Sequence, residues 1–163
     1  MRRLTALLTV LVVLLLAGCG FQLRGVGVLP APLQQLQITG LSSGDPLYRE
    51  LERGLNAQGA TVVPGTQASA VLRFRDFESG RRVVSVGRDG RVNEYELFLR
   101  FTYEVAGIND EFELEPVSLN LSRDYQFDAE QILSRDVQES TLQEAMRRDA
   151  VQLIMLRLRT AQF

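Results

Sequence analysis

The chain has 163 residues, enough for one domain and hardly more, and at 45% apolar with 5 prolines it is built for a packed core rather than for disorder. It contains no histidine and one cysteine, Cys19, which excludes internal disulfides, Cys-rich zinc sites and the usual Ser-His-Asp or Cys-His catalytic sets. Every cation is an arginine, and 18 basic residues stand against 20 acidic ones, so a global role in gripping nucleic acid or another polyanion is excluded and any anion site must be local.

Arg2 and Arg3 form a short positive start, and Leu4 to Leu16 is apolar apart from two threonines. That run is shorter than the ~20 residues a bilayer span requires and has the length of a signal-peptide core. Leu16-Ala17-Gly18-Cys19 follows, and in this position it resembles the lipobox of bacterial lipoproteins. The resemblance implies removal of residues 1–18, diacylglycerol on the Cys19 sulfur and acylation of the new amino terminus. No other cofactor is expected. Several acyl chains at about 0.8 kcal/mol per buried CH₂ make a stable anchor. Gly20 rather than aspartate comes next, which points to the outer membrane. Without the two leader arginines, 16 basic and 20 acidic residues remain, a net charge of −4.

Residues 19–35 carry Gly25, Gly27, Pro30 and Pro32 without periodicity and read as an acylated tether; residues 36–163 read as a single domain. A short strand with Leu36 and Ile38 on one face opens it. Asp45-Pro46 then starts a helix, Asp as N-cap and Pro in the first turn, with Leu47, Leu51 and Leu55 as its stripe and Gly59 as its stop. Leu72 and Phe74 alternate with Arg73 and Arg75, and a run from Arg82 to Gly87 leads into Arg88-Asp89-Gly90-Arg91. Asp-Gly between alternating runs predicts a hairpin, here with a two-residue turn. Tyr95, Leu97, Leu99, Phe101, Tyr103 and Val105 share one face of the next strand, with Glu94, Glu96, Arg100, Thr102 and Glu104 on the other. Val117, Leu119, Leu121, Tyr125 and Phe127 alternate in the same way.

The last element is a helix from about Val137 to Arg159, with Asp136 as N-cap and Glu139 completing a capping box. Its stripe reads Leu142, Ala145, Met146, Ala150, Leu153 and Leu156. Val151, Ile154, Met155 and Leu158 make it apolar on most sides, as for a helix with two partners. Asp149 falls within the stripe, so it either pairs with an arginine or marks the stripe's edge. The expected fold is α+β: a two-layer sandwich of a mostly antiparallel sheet of about four strands, with two helices on one face.

A two-residue turn would set Arg88 and Arg91 directly opposite each other, an arrangement that costs the free protein some tenths of a kcal/mol. With Arg81 and Arg82 nearby, the cluster is either a solvated turn in an arginine-rich chain or a site for an anion that suits guanidinium forks, such as phosphate. Arg123, Arg147 and Arg148 have Asp124 and Asp149 close by and read as surface pairs. Glu94, Glu96 and Glu104 spread along one strand with no partner base and read as a solvated face. No phosphate loop, nucleophile elbow or metal-ligand spacing occurs, so no enzymatic role is expected.

Gly18-Cys19-Gly20-Phe21-Gln22-Leu23-Arg24, Arg88-Asp89-Gly90 followed by Glu94-Tyr95, then Phe127-Asp128, Arg135-Asp136 and Glu144-Ala145-Met146-Arg147-Arg148-Asp149-Ala150 occur in an order and spacing that resemble the LPS-assembly lipoprotein family, LptE. The resemblance runs over nearly the whole mature chain. It implies a non-enzymatic plug and assembly partner of the LptD β-barrel, lipid-anchored in the outer membrane on its periplasmic side, that helps deliver lipopolysaccharide to the outer leaflet. It also implies lipopolysaccharide contact at the positions of Arg88 and Arg135. Arg91 joins them from the hairpin geometry alone. The competing reading is a lipoprotein adaptor or pilotin of another outer-membrane assembly or secretion machine.

Overall fold

The computed structural model describes residues 27–109, 111–126 and 132–161, the side chains of 132–135 excepted. Cys19 and Phe127-Asp128 lie outside the described residues. Alternation makes Gln35–Thr39 a strand, β1, with Leu36 and Ile38 turned into the core. The helix α1 spans Pro46–Asn56, and the Asp45 side chain accepts from the Leu47 N–H at 2.7 Å. Leu47, Leu51 and Leu55 are all fully buried. Gly59, at φ +76°, ends the helix: its N–H donates to the Asn56 carbonyl and that of Ala60 to the Leu55 carbonyl, both at 3.1 Å.

The chain then returns as β2, Thr61–Val62, parallel to β1. Three long strands follow: β3 at Ala70–Val86, β4 at Val92–Gly107 and β5 at Glu113–Gln126. The last helix, α2, covers Ile132–Thr160. The sheet order is β2-β1-β3-β4-β5, parallel where β1 meets β2 and β3, antiparallel from β3 to β5. Leu72, Phe74, Leu97, Leu99, Phe101, Tyr103 and Val105 form the buried sheet face, and α1 and α2 lie against each other over it, with Gly54 of α1 facing Val151 and Met155 of α2.

The α+β two-layer architecture and the helix face match the expectation, and four points differ. There are five strands, because a two-residue strand such as β2 has no period to read. Leu29 and Leu33, in the stretch expected to be tether, are buried at 1% and 0% exposure, and a single 3-10 turn at Ala31–Leu33 sets the second of them in place. The last helix begins at Ile132, so Asp136 sits inside it rather than at its cap. Its buried residues are Met146, Ala150, Val151, Ile154, Met155 and Leu158, while Leu153 and Leu156 remain 43% and 49% exposed.

Candidate functional site

The arginine-bearing turn is built by three residues, not two. Gly87 N–H donates to the Arg91 carbonyl at 2.7 Å, and Gly90 N–H donates back to the Gly87 carbonyl at 3.0 Å, with Gly90 at φ +78°. A three-residue loop that ends in a left-handed glycine fits the right-handed twist of the strands. Arg88 therefore lies in the loop and Arg91 at its base, and the two do not oppose each other as the two-residue turn required. Arg91 is held by Asp89, whose Oδ1 accepts from the Arg91 N–H at 3.2 Å and whose Oδ2 lies 3.7 Å from Nε. Arg88 is exposed and makes no ion pair among the described residues.

The remainder of the expected cluster is neutralised. Arg82 bonds Glu96 on the outer sheet face, and that hydrogen bond holds the Glu96 carboxyl below its ordinary range and raises the Arg82 guanidinium. The contact contributes at neutral pH and is lost as pH falls through the lowered Glu96 value. Arg81 donates to Glu139 at 2.9 Å and lies over the Tyr95 ring at 4.6 Å. Tyr125 donates to the same Glu139 oxygen at 2.9 Å. Burial raises the Tyr125 hydroxyl above its ordinary value.

Topology brings the start of α2 to the hairpin end. Gln126, the last residue of β5, pairs with Glu94, so α2 sets out from the level of the hairpin. It then runs antiparallel to β5, as three contacts in turn show: Tyr125 with Glu139, Arg123 with Asp149 at 2.7 Å, and the Glu115 carbonyl with Arg157 at 2.5 Å. Arg135 lies one helical turn before Glu139, on the hairpin side. Arg88, Arg91 and the backbone of Arg135 thus belong to one end of the molecule. Among the described residues no helix covers that end: Val83, Val84 and Val86 are 48%, 52% and 56% exposed. Sequence reasoning missed these valines, since alternation in an arginine-rich run gives no sign that the facing layer stops short.

The acidic residues of the outer sheet face singled out in the sequence are engaged. Glu104 is 6% exposed and accepts from both Arg73 and Arg75. Glu94 accepts from the Ser85 hydroxyl at 2.9 Å, so Glu94, Glu96 and Glu104 each have a partner and form no acid–base pair. Asp149 marks the stripe's edge through its bond to Arg123, and Arg148 pairs with Glu144 at 2.6 Å. Among the described residues no group of His, Cys, Asp and Glu could hold a metal ion, and no helix is long and apolar enough to cross a membrane.

Residues 33–158 match the family model described as LptE, lipopolysaccharide assembly. This chain belongs to the LptE family. An LPS-assembly lipoprotein LptE of Photorhabdus laumondii is 31% identical over 97% of this chain and 86% of its own length, and one of Pectobacterium atrosepticum is 29% identical over the same shares. Among solved structures, lipoprotein B from Nitrosomonas europaea matches with a TM-score of 0.70 at 28% identity, covering 86% of this chain and 90% of that one. A minor lipoprotein from Acinetobacter baumannii matches with a TM-score of 0.64 at 25% identity, over 80% and 98% of the two chains. The LptE family is named for lipopolysaccharide assembly rather than for a reaction.

Proposed function

We propose that this LptE-family chain is anchored through lipid on Cys19 in the outer membrane, on its periplasmic side, where it sits as a plug and assembly partner in the LptD β-barrel. In this reading it assists delivery of lipopolysaccharide by holding lipid A phosphates on Arg88 and Arg135, with Arg91 in support. The observation that carries the reading is Arg88: an exposed guanidinium at a hairpin tip, without a counter-ion among the described residues, at the end of the fold where α2 begins with Arg135 in its first turns. A free guanidinium fork suits a phosphate, and a charge-assisted bond of this kind contributes about 1.5–3 kcal/mol. Arg91 is the weaker member because Asp89 already occupies it. A largely polar outer sheet face, laced by Arg73, Arg75 and Glu104 and by Arg82 and Glu96, suits the polar, wet lumen of a large barrel.

Two measurements test this. Purification of the acylated protein from solubilised outer membranes should recover one large barrel in equal amount; recovery of a different machine would replace the plug reading with the adaptor reading. Lipopolysaccharide capture should fall at least about tenfold in Arg88→Glu/Arg135→Glu, since about 1.4 kcal/mol is tenfold. Unchanged capture would remove the site and leave the barrel partnership standing.

A further inference from the structure

Away from the hairpin tip, the helix layer has a further opening. Where α1 begins at Pro46, a cleft of about 250 Å³ lies between that helix, α2 and strands β3 and β4. One register position contributes to it. Ser79 pairs with Leu99, so it stands on the core face of β3, where a large apolar side chain would complete the layer. A hydroxymethyl group leaves the space empty. The cleft therefore reaches residues that belong to the core: Leu97, Leu99 and Met146 line it at 1%, 4% and 2% exposure, with Phe77 and Leu47 beside them.

The rim is polar, and its groups are not equivalent. The Asp45 carboxylate is engaged by the Leu47 N–H at 2.7 Å, and the Gln143 amide donates to Glu139 at 3.2 Å. Arg147 is half-buried and has neither an ion pair nor a hydrogen bond among the described residues, unlike Arg123 and Arg148, which are both paired. A cleft with an apolar floor, a polar rim and a guanidinium at its mouth that has no partner among the described residues is complementary to an amphiphile: a hydrocarbon chain inside and an anionic head at Arg147.

We infer that this cleft binds one acyl chain of lipopolysaccharide, with a lipid A phosphate held by Arg147. The inference rests on the family's association with lipopolysaccharide assembly and not on the hairpin arginines. Ser79 and Arg88 are nine positions apart, about 30 Å along an extended strand, so the cleft is a separate site from the hairpin tip.

The test uses the full mature chain carrying Cys19→Ser, so that no detergent competes for the cleft, titrated calorimetrically with dodecyl phosphate below its micellar concentration. One saturable equivalent is expected, at least fivefold weaker in Arg147→Gln and lost in Ser79→Phe, whose ring fills the slot. Lipid A should displace the probe and phosphatidylglycerol vesicles should not. A melting temperature for Arg147→Gln equal to that of the parent chain separates loss of binding from loss of fold. The inference is overturned by absence of saturable binding, by equal affinity in Ser79→Phe, by dodecyl trimethylammonium binding as well as dodecyl phosphate, or by phosphatidylglycerol competing as well as lipid A. Unchanged lipopolysaccharide capture in Arg88→Glu/Arg135→Glu, with dodecyl phosphate bound by the parent chain, removes the hairpin site and leaves the cleft; lost capture in that double variant, with no saturable dodecyl phosphate binding to the parent chain, removes the cleft and leaves the hairpin site.

Discussion

Arg81 of β3 donates to Glu139 of α2 at 2.9 Å, across 58 residues of chain, and fixes the start of the last helix on the sheet near the hairpin. Glu139 also accepts from Tyr125, which is 5% exposed, so the carboxylate serves a buried hydroxyl and a partly exposed cation together. Removing either partner of this contact has unequal consequences. Glu139→Ala leaves a buried donor without an acceptor, a cost of about 1–3 kcal/mol. Arg81→Ala leaves the Tyr125–Glu139 bond in place and costs about 1 kcal/mol or less, as exposed ion pairs do. Urea unfolding of the two variants checks the order; an equal loss in both would show that the Tyr125 bond adds nothing.

Leu33 lies in the stretch that precedes the first strand, yet it is fully buried, whereas Val28 nearby is 67% exposed. Leu33→Ala is expected to lower stability by about 2–5 kcal/mol, the range for emptying a core leucine. Val28→Ala should stay within about 0.5 kcal/mol. Thermal melts of both variants are decisive: a neutral Leu33→Ala would return this segment to the role of a tether.

Gly54 lets the two helices approach closely, for a Cβ there would stand 2.7 Å from Val151 Cγ1. Alanine would raise helix propensity by about 1 kcal/mol, but the clash involves a β-branched side chain that is 6% exposed, and overpacking costs about 1–3 kcal/mol. Gly54→Ala should therefore destabilise, and adding Val151→Ala should recover part of the loss. A Gly54→Ala protein as stable as the parent would show that the helices can slide apart freely.

Burial raises the Tyr103 hydroxyl above its ordinary value, an effect only partly offset by the nearby Arg157 cation, and burial raises Tyr125 in the same direction. A group whose folded pKa exceeds its unfolded one stabilises the fold below the unfolded value, about 10 for tyrosine, and loses that contribution as pH rises through the folded value. Stability should be flat up to about pH 10 and then fall, with a shallower fall in Tyr103→Phe. Denaturation midpoints from pH 8 to 12 read this directly; an identical alkaline limb in Tyr103→Phe would exclude the tyrosine.

Several parts of this molecule are legible residue by residue because their causes are local. Asp45 caps α1 as its type and place predict, and the alternation from Tyr95 to Val105 sets the buried face of β4 before any partner is considered. The hairpin at Asp89-Gly90 is where the dipeptide predicts it, but its length is not: the left-handed Gly90 closes a three-residue loop, and that single residue separates Arg88 from Arg91 and dissolves the repulsion a two-residue turn would have imposed. Arg81 and Arg82 leave the candidate site for the same kind of reason, since their acids, Glu139 and Glu96, lie on other elements and become neighbours only in the folded chain.

By itself, the sequence determined the element types, the inner face of each long strand and the family, because period-two alternation, capping chemistry and motif order are properties of the chain alone. Tertiary structure decided what depends on a neighbour. It placed β1 between β2 and β3, drew Leu29 and Leu33 into the core, and turned Met146, Ile154 and Leu158 inward while leaving Leu153 and Leu156 outside. A helix that is apolar on most sides has no preferred face until a surface is laid against it. Ser79 likewise reads as an ordinary strand serine until its pairing with Leu99 shows that it stands where the core should have continued.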